Sequence, residues 1–180
     1  NYFLNGSSLW PDYQQRWDAV VPQYRVLADQ GKLVGFSVGD EVMSQSNLTL
    51  DTVHTMVDTI RASFPRGSPG SLIWWNENNQ WISSGRTYPL PRQLDWFSTD
   101  IYRGGDNCQW SGEKFITENV RSFYAKYIFP QLSSEQKVAI VPGAKYRATD
   151  CTDACRNNPA CLAASLTDDV WALLEWARHE

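Results

Sequence analysis

The sequence predicts an α/β fold in which parallel strands alternate with helices, as in part of a TIM-type β/α barrel. Four apolar segments, near 33–39, 71–76, 94–101 and 137–142, have the length and composition of buried strands. Helix-like segments separate them, and this alternation favours a parallel sheet with helices outside. Acidic and aromatic residues end successive strands, which is where the active sites of β/α barrels lie.

An open doubly wound sheet is the competing architecture. Nucleotide-binding sheets of that type carry a Gly-rich phosphate loop between a strand and a helix. The chain has neither Gly-x-Gly-x-x-Gly nor a Walker sequence, so the barrel fits better. A full barrel takes about 250 residues, whereas this chain has 180. We therefore expect residues 1–180 to form one partial barrel domain, with further segments of the same barrel outside this sequence.

Two helices are predicted to flank the first strand. The first begins near Trp10-Pro11 and ends at Gly31, and Pro22 is expected to kink it. Its apolar stripe is Tyr13, Trp17, Val20, Tyr24 and Leu27. The second is expected over 50–64, and its stripe is Leu50, Val53, Val57, Ile60 and Phe64. Further helices are expected over 117–129, with Thr117 as its cap, and from about Thr167.

The first strand runs directly into two adjacent carboxylates, Asp40 and Glu41. Glycoside cleavage needs one protonated carboxyl group, and a second group that attacks, activates water or stabilises the transition state. Carboxylates at close range repel each other, so one of them can stay protonated near neutral pH. Strand alternation points the two side chains apart unless the backbone bends. Glu77 and Asp100, from the next two strands, are the alternative second carboxylates.

Aromatic residues supply the candidate sugar-binding surface, because flat rings with a polar edge suit sugar faces. The chain has nine Trp and eight Tyr. Trp75 and Trp110 can either face a ligand or pack in the core. Tyr102, after the third strand, and Lys145 and Tyr146, after the fourth, complete the candidate binding residues.

Composition excludes some partners. The net charge of −4 and the absence of a basic cluster argue against nucleic acid. No apolar run approaches the roughly 20 residues of a membrane helix.

No His lies near the cysteines, and no Cys-x-x-Cys pair occurs, so we expect no metal and no cofactor. The chain starts at Asn1 without a signal-peptide pattern, which predicts a processed or partial chain.

A secreted or lumenal location is predicted from two kinds of motif. Asn5-Gly6-Ser7 and Asn47-Leu48-Thr49 are glycosylation acceptor sequences. An even number of cysteines indicates disulfides in a secreted protein. Loops after neighbouring parallel strands emerge on the same rim, which predicts Cys108–Cys151, and the remaining pair would be Cys155–Cys161.

The segment Gly39-Asp40-Glu41-Val42 resembles the Gly-Asp-Glu signature of the β-N-acetylhexosaminidases, in which the pair ends the fourth barrel strand. The resemblance implies that Glu41 is the general acid and that Asp40 orients the acetamido group of the substrate, which acts as nucleophile. Where that family usually has His, four positions before the Asp, this chain has Phe36. A broader similarity to barrel glycoside hydrolases extends over 94–102. The four strands of this short chain are expected to be about strands four to seven of the barrel.

Two functions are compatible with these observations. The first is a glycoside hydrolase. The second is a catalytically inactive extracellular barrel that acts as a structural or carbohydrate-binding module. The module is favoured by the short chain and by Lys145-Tyr146, at a position where the largest clan of barrel glycosidases has a Glu nucleophile. A carbohydrate is the expected substrate or ligand in either case.

Overall fold

The computed structural model describes residues 2–87, 89–101, 112–139 and 141–142. The chain divides into two compact units. The first comprises Asn1–Thr99 and Gln131–Ala139, and the second comprises Asp100–Pro130 and Ile140–Glu180. The cysteines, Tyr102, Trp110, Lys145, Tyr146 and the helix expected from Thr167 lie outside the described residues.

The first unit begins with a small hairpin and a long helix. Strands β1 (Leu4–Asn5) and β2 (Ser8–Leu9) pair in antiparallel fashion, and α1 (Tyr13–Asp29) follows, with Pro22 inside it. Gly31, at a φ of +68°, directly follows the C-cap residue of the helix and adopts the left-handed backbone that glycine tolerates best.

A parallel sheet follows, as predicted. Its strands are β3 (Gly35–Asp40), β4 (Leu72–Asn78), β5 (Trp96–Ile101) and β6 (Lys137–Val138), in that order. The predicted fourth strand is divided into two short pieces. The first piece, β6, pairs in parallel with Trp96 and Phe97, and the second, β7 (Val141–Pro142), pairs in parallel with Asp100 and Ile101.

Three further helices lie in the first unit. They are α2 (Val42–Ser46), α3 (Leu50–Ser63) and α4 (Asn79–Ser83). The side chain of Thr49 caps α3 by accepting a hydrogen bond from the backbone N–H of Thr52 at 3.2 Å. The prediction of a helix over 50–64 is therefore confirmed, and only a short helix forms in the segment from Asn78 to Gln93, where Gly and Pro were expected to prevent a full one.

Aromatic rings join α1 and α3 to one face of the sheet. Phe36 of β3 lies 5.5 Å from the ring of Trp17 and 4.8 Å from the ring of Phe64, measured between centroids. Trp17 Nε1 also donates to Ser63 Oγ at 2.9 Å. The two helices therefore cover the same face, which we call the helix-covered face.

The apolar stripe of α1 differs from the prediction. Its buried residues are Trp17, Val21 and Ala28, whereas Leu27 is 38% exposed. The reason is close packing, since a Cβ added to Gly70 would lie only 2.7 Å from Ala28 Cβ. The small side chain of Ala28 allows this approach, and it leaves the larger Leu27 on the solvent side.

An ion-pair network connects the N-terminal ends of the strands. Arg61, 8% exposed, donates to Asp95 Oδ2 at 2.5 Å and to the carbonyl oxygen of Ser71 at 2.9 Å. The same Asp95 oxygen accepts a hydrogen bond from the backbone N–H of Ile73 at 2.7 Å. The beginnings of β4 and β5 are therefore held together by one carboxylate that is only 14% exposed.

The helix predicted over 117–129 forms, but most of it is π-helical and therefore wider than an α-helix. It consists of α5 (Gly112–Lys114), two π-helical stretches (Phe115–Arg121 and Tyr124–Ile128) and a 3₁₀ turn (Phe129–Gln131), whose final residue belongs to the first unit. Thr117 lies inside the helix, so its predicted role as N-cap is wrong. Among the described residues, no helix has both the length and the apolar character needed to cross a bilayer.

Candidate active site

A bulge at the end of β3 brings Asp40 and Glu41 to one face of the sheet. Ser37 lies opposite Trp74 and Asp40 lies opposite Asn76, so that two residues of β3, Val38 and Gly39, oppose the single Trp75 of β4. The extra residue reverses the alternation of the strand. Asp40 therefore leaves the helix-covered face, to which Phe36 belongs, and joins the opposite face. We call this the open face because Asp40 is exposed on it, although Asn76 and Ser98 on the same face are buried.

The bulge depends on the backbone of two residues. Gly39 has a φ of +144°, and a Cβ at this position would overlap Cγ1 of Val42. Glu41 has a φ of +49°, in the left-handed region that residues with a side chain rarely adopt. The backbone bend on which the site prediction depended is therefore present.

Two asparagines of β4 bind the two carboxylates. Asn76 Nδ2 donates to Asp40 Oδ1 at 2.6 Å, and Asn78 Nδ2 donates to Glu41 Oε1 at 3.1 Å. Gln45 of α2 donates to the second oxygen of Glu41 at 2.8 Å. Because Asn76 and Asn78 are two positions apart on one strand, their side chains point to the same face. Asp40 and Glu41 are thus adjacent in sequence and adjacent on the open face.

A hydrogen-bond chain fixes the orientation of the Asn76 amide. Trp74 Nε1 donates to Ser98 Oγ at 2.8 Å, and Ser98 Oγ donates to Asn76 Oδ1 at 2.7 Å. The amide oxygen of Asn76 is thereby occupied, and its NH₂ group is directed at Asp40. Asn76 and Ser98 are buried, whereas Asp40 is exposed, so a fixed interior network supports an accessible carboxylate.

No protein-family model matches the chain, and neither a curated protein nor a solved structure matches it. The interpretation of the site therefore rests on its residues and their geometry.

Glu77 does not join the pair. Its side chain is completely buried on the helix-covered face, because alternation along β4 places residues 76 and 78 on one side and residue 77 on the other. Glu77 Oε2 accepts a hydrogen bond from the backbone N–H of Met43 at 2.9 Å, and Oε1 accepts one from the N–H of Asn78 at 2.8 Å. Burial raises the pKa of this carboxyl group above its ordinary value, although the hydrogen bonds lower it in part.

The structure places Trp75 in the core. It is 0% exposed, and its ring packs edge-on against Phe97 with a centroid separation of 5.2 Å. Trp96 lies on the same face as Ser98 and is 41% exposed. Trp96 begins β5, however, so it lies at the end of the sheet opposite to Asp40 and Glu41. Trp74, on the same face and partly exposed, is the tryptophan nearer to the site.

The remaining candidates stay predictions, since Tyr102, Trp110, Lys145 and Tyr146 lie outside the described residues. Asp100 is buried at the end of β5, within the second unit. In the part of the chain that the structure describes, no group of three or more His, Cys, Asp or Glu side chains is arranged to hold a metal ion.

Sequence reasoning missed the partners of the two carboxylates, namely Asn76, Asn78, Gln45 and Ser98. The signal for two of them was present in Trp74-Trp75-Asn76-Glu77-Asn78, where polar residues alternate at the end of a strand. Partners from other elements depend on the register of the sheet, which composition does not reveal.

Proposed function

We propose that this chain is part of a β/α-barrel glycoside hydrolase in which Glu41 is the general acid. The observation that carries the proposal is the bulge, which presents Asp40 and Glu41 side by side on the open face at the ends of parallel strands. Catalytic groups of β/α barrels collect at this end of the strands. Glycoside cleavage requires two such groups around one bond.

The two carboxylates suit different tasks. Asp40 is exposed, and the buried chain through Asn76 and Ser98 holds it in place, so it can orient a substrate group or stabilise positive charge. Glu41 is partly exposed and lies on a turn, from which it can deliver a proton to the leaving oxygen. The resemblance to β-N-acetylhexosaminidases assigns the same roles and makes an N-acetylhexosaminide the first substrate to test.

The barrel is supported by the distribution of the helices. In the described part of the first unit, the two long helices α1 and α3 both pack on the helix-covered face, whereas a doubly wound sheet carries helices on both faces. The open face carries the polar side chains of Asp40, Asn76 and Ser98, which would face the interior of a barrel closed by further strands. The exposed acceptor residues Asn5 and Asn47 agree with a secreted or lumenal location.

An inactive carbohydrate-binding module is the second candidate. It is favoured by Glu77, because a carboxylate that binds two backbone N–H groups in the core is not available to a substrate. The open face can bind sugar without cleaving it, since the partly exposed Trp74, Asp40 and the asparagine amides offer an aromatic ring and hydrogen bonds.

The intact protein assayed on labelled glycosides decides between the two. Glu41→Gln removes the titratable proton but keeps the shape of the side chain. We expect it to lower turnover by a factor of roughly 10² or more on a glycoside with a poor leaving group. The loss should be much smaller on an activated aryl glycoside, because its leaving group hardly needs a proton.

Asp51→Asn is the matched control, since Asp51 is an exposed carboxylate in the first turn of α3 and should not affect turnover. Full activity of Glu41→Gln on a natural glycan would exclude Glu41 as the acid. A wild-type protein that binds glycans and cleaves none of them is the inactive module.

A further inference from the structure

Glu77 links the two chain segments on either side of the carboxylate pair. Its two oxygens accept hydrogen bonds from the backbone N–H groups of Met43, in the first turn of α2, and Asn78, at the end of β4. Met43 lies two positions after Glu41. The buried carboxylate therefore fixes the start of α2 relative to the end of β4.

The same two segments hold the side chain of Glu41. Asn78 donates to one oxygen of Glu41, and Gln45 of α2 donates to the other. The carboxylate of Glu41 is thus bound once from each segment. If the bonds made by Glu77 were lost, the two donors would be free to move relative to each other.

The backbone of this turn needs external support. Glu41 is the N-cap residue of α2, but its side chain makes no capping bond, so the first N–H groups of the helix need other partners. Its left-handed backbone costs on the order of 1–3 kcal/mol and persists only when the surroundings hold it. Glu77 supplies an acceptor to the N–H of Met43 from the core side.

We propose that Glu77 is a positioning residue that holds the turn of Glu41, so that the acid reaches the leaving oxygen. This inference rests on the proposed role of Glu41 as general acid. Burying a carboxylate is costly, and the neighbouring positions on this face, Ile73 and Trp75, carry the apolar side chains that packing alone would favour. The raised pKa of Glu77 reflects that cost.

Glu77→Gln tests the proposal. Glutamine has nearly the same size but only one side-chain oxygen, so that one of the two backbone N–H groups loses its acceptor. Trp75→Phe is the matched control, because it alters the same strand and the same buried face. Trp75 Nε1 has no hydrogen-bond partner within the described residues, so the control removes packing alone.

The readout is the dependence of turnover on the leaving group. We expect Glu77→Gln to lower kcat on the order of 10-fold for a poor leaving group, with a much smaller change for an activated aryl glycoside and little change in KM. Trp75→Phe should reduce both rates in the same proportion, since loss of folded protein does not depend on the leaving group. An equal loss on both substrates in Glu77→Gln would overturn the positioning role.

Amide hydrogen exchange tests the same link without catalysis. In Glu77→Gln we expect faster exchange at Met43 or Asn78, with unchanged exchange in α3. Unchanged exchange at both amides would show that Glu77 does not hold the turn. If the wild-type protein cleaves neither glycoside, the proposed enzymatic function fails, and the exchange rates still decide whether Glu77 holds this segment.

Discussion

Replacing Gly39 with alanine should straighten the bulge that defines the site. The added Cβ would sit on a residue with a φ of +144° and would overlap Cγ1 of Val42. The unfavourable backbone is expected to cost about 1–3 kcal/mol. The overlap in a packed region adds roughly 1–3 kcal/mol. Together these effects amount to about 2–6 kcal/mol, a large part of the 5–15 kcal/mol of a typical domain.

The two contributions can be separated with a second substitution. Val42→Ala removes Cγ1, so it relieves the overlap but not the unfavourable φ of residue 39. We therefore expect the double variant Gly39→Ala/Val42→Ala to be more stable than the sum of the single effects predicts, by roughly 1–3 kcal/mol.

Urea unfolding of the wild type, the two single variants and the double variant provides the four free energies. If the effects of the two substitutions simply add, Val42 does not limit the space at Gly39. If Gly39→Ala alone changes the free energy of unfolding by less than about 0.5 kcal/mol, the bulge does not require glycine, and the account of how Asp40 reaches the open face is wrong.

Two more predictions concern Glu77 and Asn47. Because the folded pKa of Glu77 is raised, the penalty for burying its ionised form is absent well below its ordinary pKa of 4.5, and stability should fall as the pH rises from there through the raised value. The dependence of the urea midpoint on pH above 4.5 should therefore be weaker in Glu77→Gln than in the wild type. An identical dependence in both proteins would assign it to other groups. In a eukaryotic secretory host, Asn47→Gln and Thr49→Ala should abolish the mobility shift caused by enzymatic removal of a glycan from this position, whereas Thr49→Ser should keep it. Thr49→Ala should in addition lose about 1 kcal/mol of stability with its cap, and an unaltered shift in Asn47→Gln would mean that Asn47 carries no glycan.

The strands could be predicted because their signal is local. Apolar segments bounded by turns identified β3, β4 and β5 to within about two residues, as expected for strongly patterned elements. The parallel arrangement followed from the intervening helices. Strand positions and strand direction both depend on residues that are close together in the sequence, so the pattern of neighbouring residues predicts them.

The features that define the site depend on distant residues instead. Glycine at position 39 permits a bulge, but the two-against-one register with Trp75 is a property of the pair of strands. Glu77 and Asn78 are adjacent in sequence, but they point to opposite faces of the sheet. Glu77 is therefore buried in the core, whereas the amide of Asn78 binds Glu41. Likewise, the contact between Gly70 and Ala28 decides the buried side of α1, although Leu27 is the more apolar choice.

The ion pair between Arg61 and Asp95 affects which sequence changes this sheet can tolerate. It fixes the beginnings of β4 and β5 through a charge pair in which Arg61 is 8% and Asp95 is 14% exposed. Removing one partner of a fully buried pair costs about 3–5 kcal/mol, which is an upper bound for this pair. Alignment of the strands is therefore set at the end of the sheet opposite to Asp40 and Glu41. Sequence variation near the carboxylates, including insertions after β3 or β4, can then alter which ligands fit without shifting one strand past another. A library that randomises the residues after β3 and β4 while keeping Arg61 and Asp95 would separate new binding properties from misfolding.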